Sequence, residues 1–259
     1  MYKLGNYIPG KSPIHGLDPR VKILSVISLS LVLVQAGPAG ALLVTVLLAS
    51  LIPFARISPA RLWEALTPVR VFLLLLLLLH TVGTGGEPVP PFPVWKINVT
   101  REGLGTGFIV AWRFGLLVTA AAFMTMTTSP SELVAGLERL MKPLARFGVP
   151  VTDLTTMVSL ALRFVPVLLE EMDRMKEARL ARGASLTAGK IRARIRTAIS
   201  VAVPVVVNSF KRAEELATAM EARAYGFGSR TLAKEMSLGA SDLAALMTVG
   251  IVSVAAVAL

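Results

Sequence analysis

The chain has 259 residues, 54% of them hydrophobic and only 17% charged, with a formal net charge of +11. It contains no cysteine and two histidines, His15 and His80; disulfides, thiol catalysis and thiolate metal sites are excluded, and no metal centre is expected. The apolar residues come in blocks rather than dispersed, and charge falls well below the quarter usual for soluble domains, so the pattern is that of a polytopic membrane protein. The basic excess invites a nucleic-acid reading. It concentrates in the non-spanning parts, however, as the positive-inside rule requires, and no nucleic-acid partner is expected.

Residues Met1 to Lys22 are polar and rich in Gly and Pro, without the apolar core of a secretory signal, and read as a cytoplasmic lead-in. Asp18-Pro19-Arg20 opens the first span, with Asp18 as cap, Pro19 at the first helical position and Lys22 near enough to the end to snorkel. Ile23–Gln35 and Ala39–Phe54 form an antiparallel pair across the Gly37-Pro38 turn. A loop from Arg56 to Arg70 carries three arginines, and Val71–Val82, with leucine from Leu73 to Leu79, is the third span. Gly83–Gly103 is a Gly/Pro-rich loop with Trp95 at an interfacial position. Leu104–Thr127 is the fourth span; Gly103, Gly105 and Gly107 at its start permit close helix packing.

Ser129-Pro130-Ser131-Glu132 is a capping-box start, and it begins a short amphipathic helix ended by Pro143 and Gly148-Val149-Pro150. A mixed apolar helix from about Leu154 through Pro166 passes into a polar arm, Glu170 to Leu180, in which Glu170 and Arg174 form a favourable i,i+4 pair. This arm closes on Ala181-Arg182-Gly183. A basic turn follows (Lys190, Arg192, Arg194, Arg196), then an apolar stretch around Val201–Val207 and a second arm, Ala213 to Glu221, closing on Ala222-Arg223-Ala224. Leu243–Leu259 is the fifth span. The fold class is therefore all-α: about five transmembrane helices, with long cytoplasmic coupling helices between the fourth and the last. The organisation is 1–128 as a four-span membrane domain, 129–241 as the coupling region and 242–259 as the final span. Lys and Arg in the short loops place the N-terminus and both arms in the cytoplasm and the C-terminus outside.

Chemistry has few footholds. Gly183 to Lys190 has five residues between its glycines and Ile191 after the lysine, which departs from a phosphate loop on both counts. Arg113 is the one charge deep in a span: it either snorkels or pairs with a carbonyl, or makes a polar contact within the bundle; Arg163 is similar but sits where a helix leaves the membrane, and His80 reads as an interfacial side chain satisfied locally. The arms carry the sharper signal. Met172, Met175, Arg179 and Arg182 share one face. Both arms end in an arginine between small residues, so the helix end can approach a partner closely while the planar guanidinium binds carboxylates in bidentate fashion. Repetition sets docking beside the alternative, a solvated helix with a routine arginine near its end, and the residues alone leave both open.

These residues resemble a known family, the transmembrane T component of energy-coupling factor (ECF) transporters, ABC-type vitamin and metal importers of prokaryotes. The resemblance rests on Leu17-Asp18-Pro19-Arg20-Val21-Lys22, Thr127-Thr128-Ser129-Pro130-Ser131-Glu132-Leu133, Gly136-Leu137-Glu138, Leu160-Ala161-Leu162-Arg163-Phe164-Val165-Pro166, Ala181-Arg182-Gly183 and Ala219-Met220-Glu221-Ala222-Arg223-Ala224-Tyr225-Gly226. They follow the family's order over nearly the whole chain; Ala224 stands where many members have Gly. The resemblance implies a non-catalytic subunit of the prokaryotic cytoplasmic membrane, without a cofactor. It implies that Arg182 and Arg223 insert into grooves on two ATP-binding subunits, and that the chain also holds a substrate-binding S component. The competing readings are a conventional ABC permease with its own translocation path, an intramembrane enzyme and a membrane-anchored nucleic-acid binder. The first would need polar residues lining the spans, and the second a paired nucleophile and base within them. The third would rest on the Lys190–Arg196 cluster.

Overall fold

The computed structural model describes residues 7–85, 100–183, 191–226 and 238–259, and every element among them is a helix. The Gly183–Lys190 loop beyond Gly183, Trp95 and Lys190 lie outside the described residues. In order, the helices are α1 (Pro19–Gln35), α2 (Pro38–Ala55), α3 (Pro59–Leu66), α4 (Arg70–Gly83), α5 (Arg101–Thr127), α6 (Pro130–Met141), α7 (Val151–Ala181), α8 (Ile191–Ala222) and α9 (Ala240–Ala258). Short 3-10 turns join α3 to α4 and follow α6 at Lys142–Phe147. Two compact units result, one of residues 152–183 and 191–226, the other of 7–151 and 238–259.

Local chemistry accounts for the helix starts. The Asp18 carboxylate accepts the Arg20 amide at 2.9 Å and Pro19 takes the first position of α1, where its missing N–H costs nothing. Ser129 and Glu132 exchange hydrogen bonds at 3.3 and 3.0 Å, closing the expected capping box of α6. Pro166 and Pro204 lie inside α7 and α8 without ending them.

Among the described residues, five stretches are long and apolar enough to cross a bilayer: Pro38–Ala55, Pro59–Gly83, Arg101–Thr127, Val151–Ala181 and Ala240–Ala258. Four match expected spans. The fifth, the apolar first half of α7, is not among them; α1, the remaining expected span, has 17 residues, about 25 Å, at the lower limit for crossing. Two segments expected as loop or turn are helical. Within the supposed Arg56–Arg70 loop, Pro59 starts α3, whose Leu62 is buried, and the chain continues through a 3-10 turn into α4. Arg192, Arg194 and Arg196 of the supposed basic turn belong to α8; arginine is itself a good helix former.

In the larger unit, α1, α2, α5 and α9 enclose a core of Leu29, Val32, Leu33, Val44, Leu48, Leu116, Phe123 and Ala256. Lipid gives apolar helices no hydrophobic reason to associate, so close van der Waals packing at small residues has to do it. Gly40 is the sharpest instance, because a Cβ there would overlap the Ala256 carbonyl oxygen. Gly103 and Gly107 let α5 lie on α4: added Cβ atoms would sit 2.7 Å from the His80 oxygen and 3.0 Å from the Leu77 oxygen. Gly40→Leu is expected to destabilise the purified protein by about 1–3 kcal/mol or more, read as a fall in Tm in detergent. Gly250→Leu, with nothing within 4 Å of its added Cβ, should leave Tm unchanged.

Candidate functional site

The two arms are the C-terminal halves of α7 and α8. Asn208 donates from Nδ2 to Glu171 Oε1 at 2.7 Å, Arg212 faces Glu171 Oε2 at 3.6 Å, and Arg179 donates to the Ser200 carbonyl at 2.8 Å. Contact positions that rise along α7 as they fall along α8 make the pair antiparallel where they cross. The Arg179 face of α7 is thus the one turned to α8. Lys176 pairs with Asp173 at 3.0 Å, whereas the expected Glu170–Arg174 pair is not among the ion pairs of the described residues.

Both small-Arg-small ends are exposed, from Ala181 to Gly183 and from Ala222 to Ala224. Arg182 lies just past the crossing and Arg223 well beyond it on the other side. At 1.5 Å per residue the antiparallel register puts roughly 30–40 Å between them. Each end is shaped by a left-handed residue. Gly183 has φ +82°, with its amide bonded to the Leu180 oxygen at 2.9 Å. At the second end Ala224 has φ +57°, and Tyr225 N–H reaches back to the Met220 oxygen at 2.9 Å, the long bond of a Schellman cap. Alanine pays the Cβ penalty of that conformation. Ala224→Gly is therefore expected to stabilise the α8 terminus by about 1 kcal/mol, seen as slower amide exchange at residues 223–225.

A buried polar cluster ties together the larger unit's family-like segments. Lys22, expected to snorkel, is buried instead, and its ammonium donates to the Thr127 carbonyl at 3.0 Å and the His15 carbonyl at 3.3 Å. The carbonyls take its hydrogen bonds, and the nearby Glu132, Asp242 and Asp18 carboxylates offset its charge. Asp242, in the first turn of α9, accepts the Asp18 amide at 2.8 Å and the Gly239 amide at 2.9 Å. Gly136 of α6 packs on Pro19, where a Cβ would come within 2.8 Å of the proline Cβ. The end of α5, the starts of α1 and α9 and the middle of α6 therefore meet at one point. The sequence carries one local sign of Asp242: a carboxylate three residues after Gly239, at the head of an apolar helix.

Of the two candidate intrabundle arginines, Arg163 is exposed on α7. Arg113 is half-buried in the middle of α5, and its Nε is sealed from solvent with no hydrogen-bond partner. His80 bonds the Leu76 carbonyl at 3.0 Å, a local contact within its own helix. Among the described residues no group of His, Asp and Glu could hold a metal ion.

Residues 10–232 match the family model described as CbiQ, cobalt transport protein. An energy-coupling factor transporter transmembrane protein of Thermanaerovibrio acidaminovorans is 43% identical over 223 residues, covering 86% of this chain and 82% of that one. The equivalent protein of Clostridium kluyveri is 38% identical over 245 residues, with 93% and 90% covered. That of Bacillus subtilis is 35% identical over 226 residues, with 87% and 85% covered. On that match and these relatives, the chain belongs to the CbiQ family, as a transmembrane (T) component of the energy-coupling factor type.

Proposed function

We propose that this chain couples ATP hydrolysis by two cytoplasmic ATP-binding subunits to the movement of a separate substrate-binding S component in a micronutrient importer of the prokaryotic cell membrane. One observation carries the reading: two exposed arginine-tipped helix ends project from opposite ends of a single crossed helix pair. Two plugs set far apart suit two ATPase subunits, one for each, and a crossed pair suits a lever, because closing the ATPases changes the angle between helices whose contacts lie near the crossing. Arg182 and Arg223 act as docking residues without catalytic duty, each making charge-assisted hydrogen bonds of roughly 1.5–3 kcal/mol. The lever delivers work only if its surface meets the S component differently in the two ATPase states. The N-terminus, α7 tip and α8 tip are cytoplasmic in this reading.

The direct test is affinity purification of the tagged chain from its native membrane in mild detergent. The expected companions are two ATP-binding cassette subunits and a small membrane protein that binds the transported nutrient. Recovery of the chain with a periplasmic or extracellular binding protein and a second permease of the same kind would instead indicate a conventional importer.

A further inference from the structure

Arg113 stands thirteenth of the 27 residues of α5, the longest helix of the larger unit. At 1.5 Å per residue it is about 18 Å from either helix end. The hydrocarbon half-thickness is about 15 Å, and an arginine side chain, reaching only several ångströms, cannot bring its charge to the headgroups of either leaflet. A guanidinium fixed at that depth is costly unless an acceptor neutralises it. Among the described residues none does: Nε is buried without a partner, and the side chain forms no hydrogen bond or ion pair there.

The surroundings say where an acceptor would come from. The buried face of α5 changes along its length. Gly103 and Gly107 turn toward α4, and the Phe114 ring stacks at 5.0 Å from that of Phe72 on α4. Further along, Leu116, Ala120 and Phe123 join the core with α1 and α2. Arg113 sits where one face gives way to the other. One and two turns back, at i−4 and i−8, Ile109 and Gly105 lie on the same stripe. Gly105 is exposed, with nothing within 4 Å of an added Cβ. The stripe thus combines an unsatisfied charge with a small residue that allows another backbone to come close, and in lipid these are the two features that recruit a helix.

We propose that the α5 face carrying Gly105, Ile109 and Arg113 receives a transmembrane helix of a second membrane subunit, and that Arg113 is neutralised by a carboxylate on that helix. A carboxylate is required because a lone carbonyl leaves the positive charge uncompensated in lipid. The inference rests on the proposed function in one respect, the existence of a membrane-embedded capture subunit, and assigns it an intramembrane contact separate from the α7 and α8 tips.

The test uses the full complex in lipid nanodiscs, with Arg113→Met, Arg113→Lys and Gly105→Phe in turn, and scores the ratio of each companion to this chain. Arg113→Met is expected to lower the affinity for the membrane companion about tenfold, within the range measured for interhelical hydrogen bonds, while both ATPases stay at wild-type ratio. Arg113→Lys should retain more of the companion than Arg113→Met, and Gly105→Phe should lose it as Arg113→Met does. The same Arg113→Met chain, alone in nanodiscs, should melt no lower than wild type, because it has shed a charge that no described residue satisfies. An unchanged companion ratio in Arg113→Met overturns the proposal, as do a lower Tm of that variant alone, loss of its ATPases, or a defect in uptake with full assembly. A wild-type complex holding ATPases but no membrane companion overturns this contact and leaves the arginine tips standing. One lacking the ATPases defeats the functional reading itself.

Discussion

Replacing Arg182 and Arg223 together by glutamate is expected to abolish co-purification of the ATP-binding subunits and substrate uptake, with membrane insertion intact. Both side chains are exposed on helix ends and packed against nothing that the fold needs. Each contributes roughly 1.5–3 kcal/mol of charge-assisted hydrogen bonding to a groove, so losing both removes on the order of 3–6 kcal/mol, a hundredfold or more in affinity. Glutamate adds repulsion against the acidic groups that would otherwise receive the guanidinium. Single substitutions should be intermediate, because the second tip keeps the partner nearby. Wild-type recovery of the ATPases by the double variant would refute docking through these residues.

The second large effect is expected at Asp242. Its two oxygens take the Asp18 and Gly239 amides at 2.8 and 2.9 Å, and the residue is only 6% exposed. Asp242→Ala would leave two amides without acceptors at the junction of α1 and α9, at a cost of about 3 kcal/mol. The Tm of the purified protein should fall by several degrees, while Asp242→Asn, which keeps an acceptor oxygen, should lose less. Because α6 leaves from the same junction, Asp242→Ala should also lower uptake without touching either tip. An Asp242→Ala protein that melts with the wild type would show that the cluster contributes nothing to holding these segments together.

Features written in adjacent residues were legible from the sequence. The caps at Asp18 and Ser129 depend on partners two or three residues away, and both formed as expected. The close approach at Gly103 and Gly107 followed from small residues opening an apolar helix. What escaped notice depends on distance along the chain. Asp18 and Asp242 are 224 residues apart, and nothing local announces that they meet. The burial of Lys22 follows from the same junction, since its acceptors at Thr127 and His15 are brought to it by tertiary packing. Charge also misled. Arg56 to Arg70 and Arg192 to Arg196, arginine-bearing stretches between apolar runs, look like connectors in the sequence, yet arginine is itself a good helix former, and Pro59 marks the start of α3. The arginine tips were found from repetition, but their separation by an antiparallel crossing was visible only in the contacts of Glu171 and Arg179.

The central claim is that the tips move relative to one another when the ATPases close. The chain has no cysteine of its own, so spin labels can be placed by Glu177→Cys and Thr218→Cys, two exposed positions on the arms. Pulsed electron-electron distance measurement would then be made on the assembled complex in nanodiscs, without nucleotide and with ATP trapped by a hydrolysis-deficient ATPase. The account predicts two distinct distance distributions, offset by several ångströms, which collapse to one in the Arg182→Glu, Arg223→Glu protein. A single distribution, identical with and without ATP in the intact complex, would contradict it.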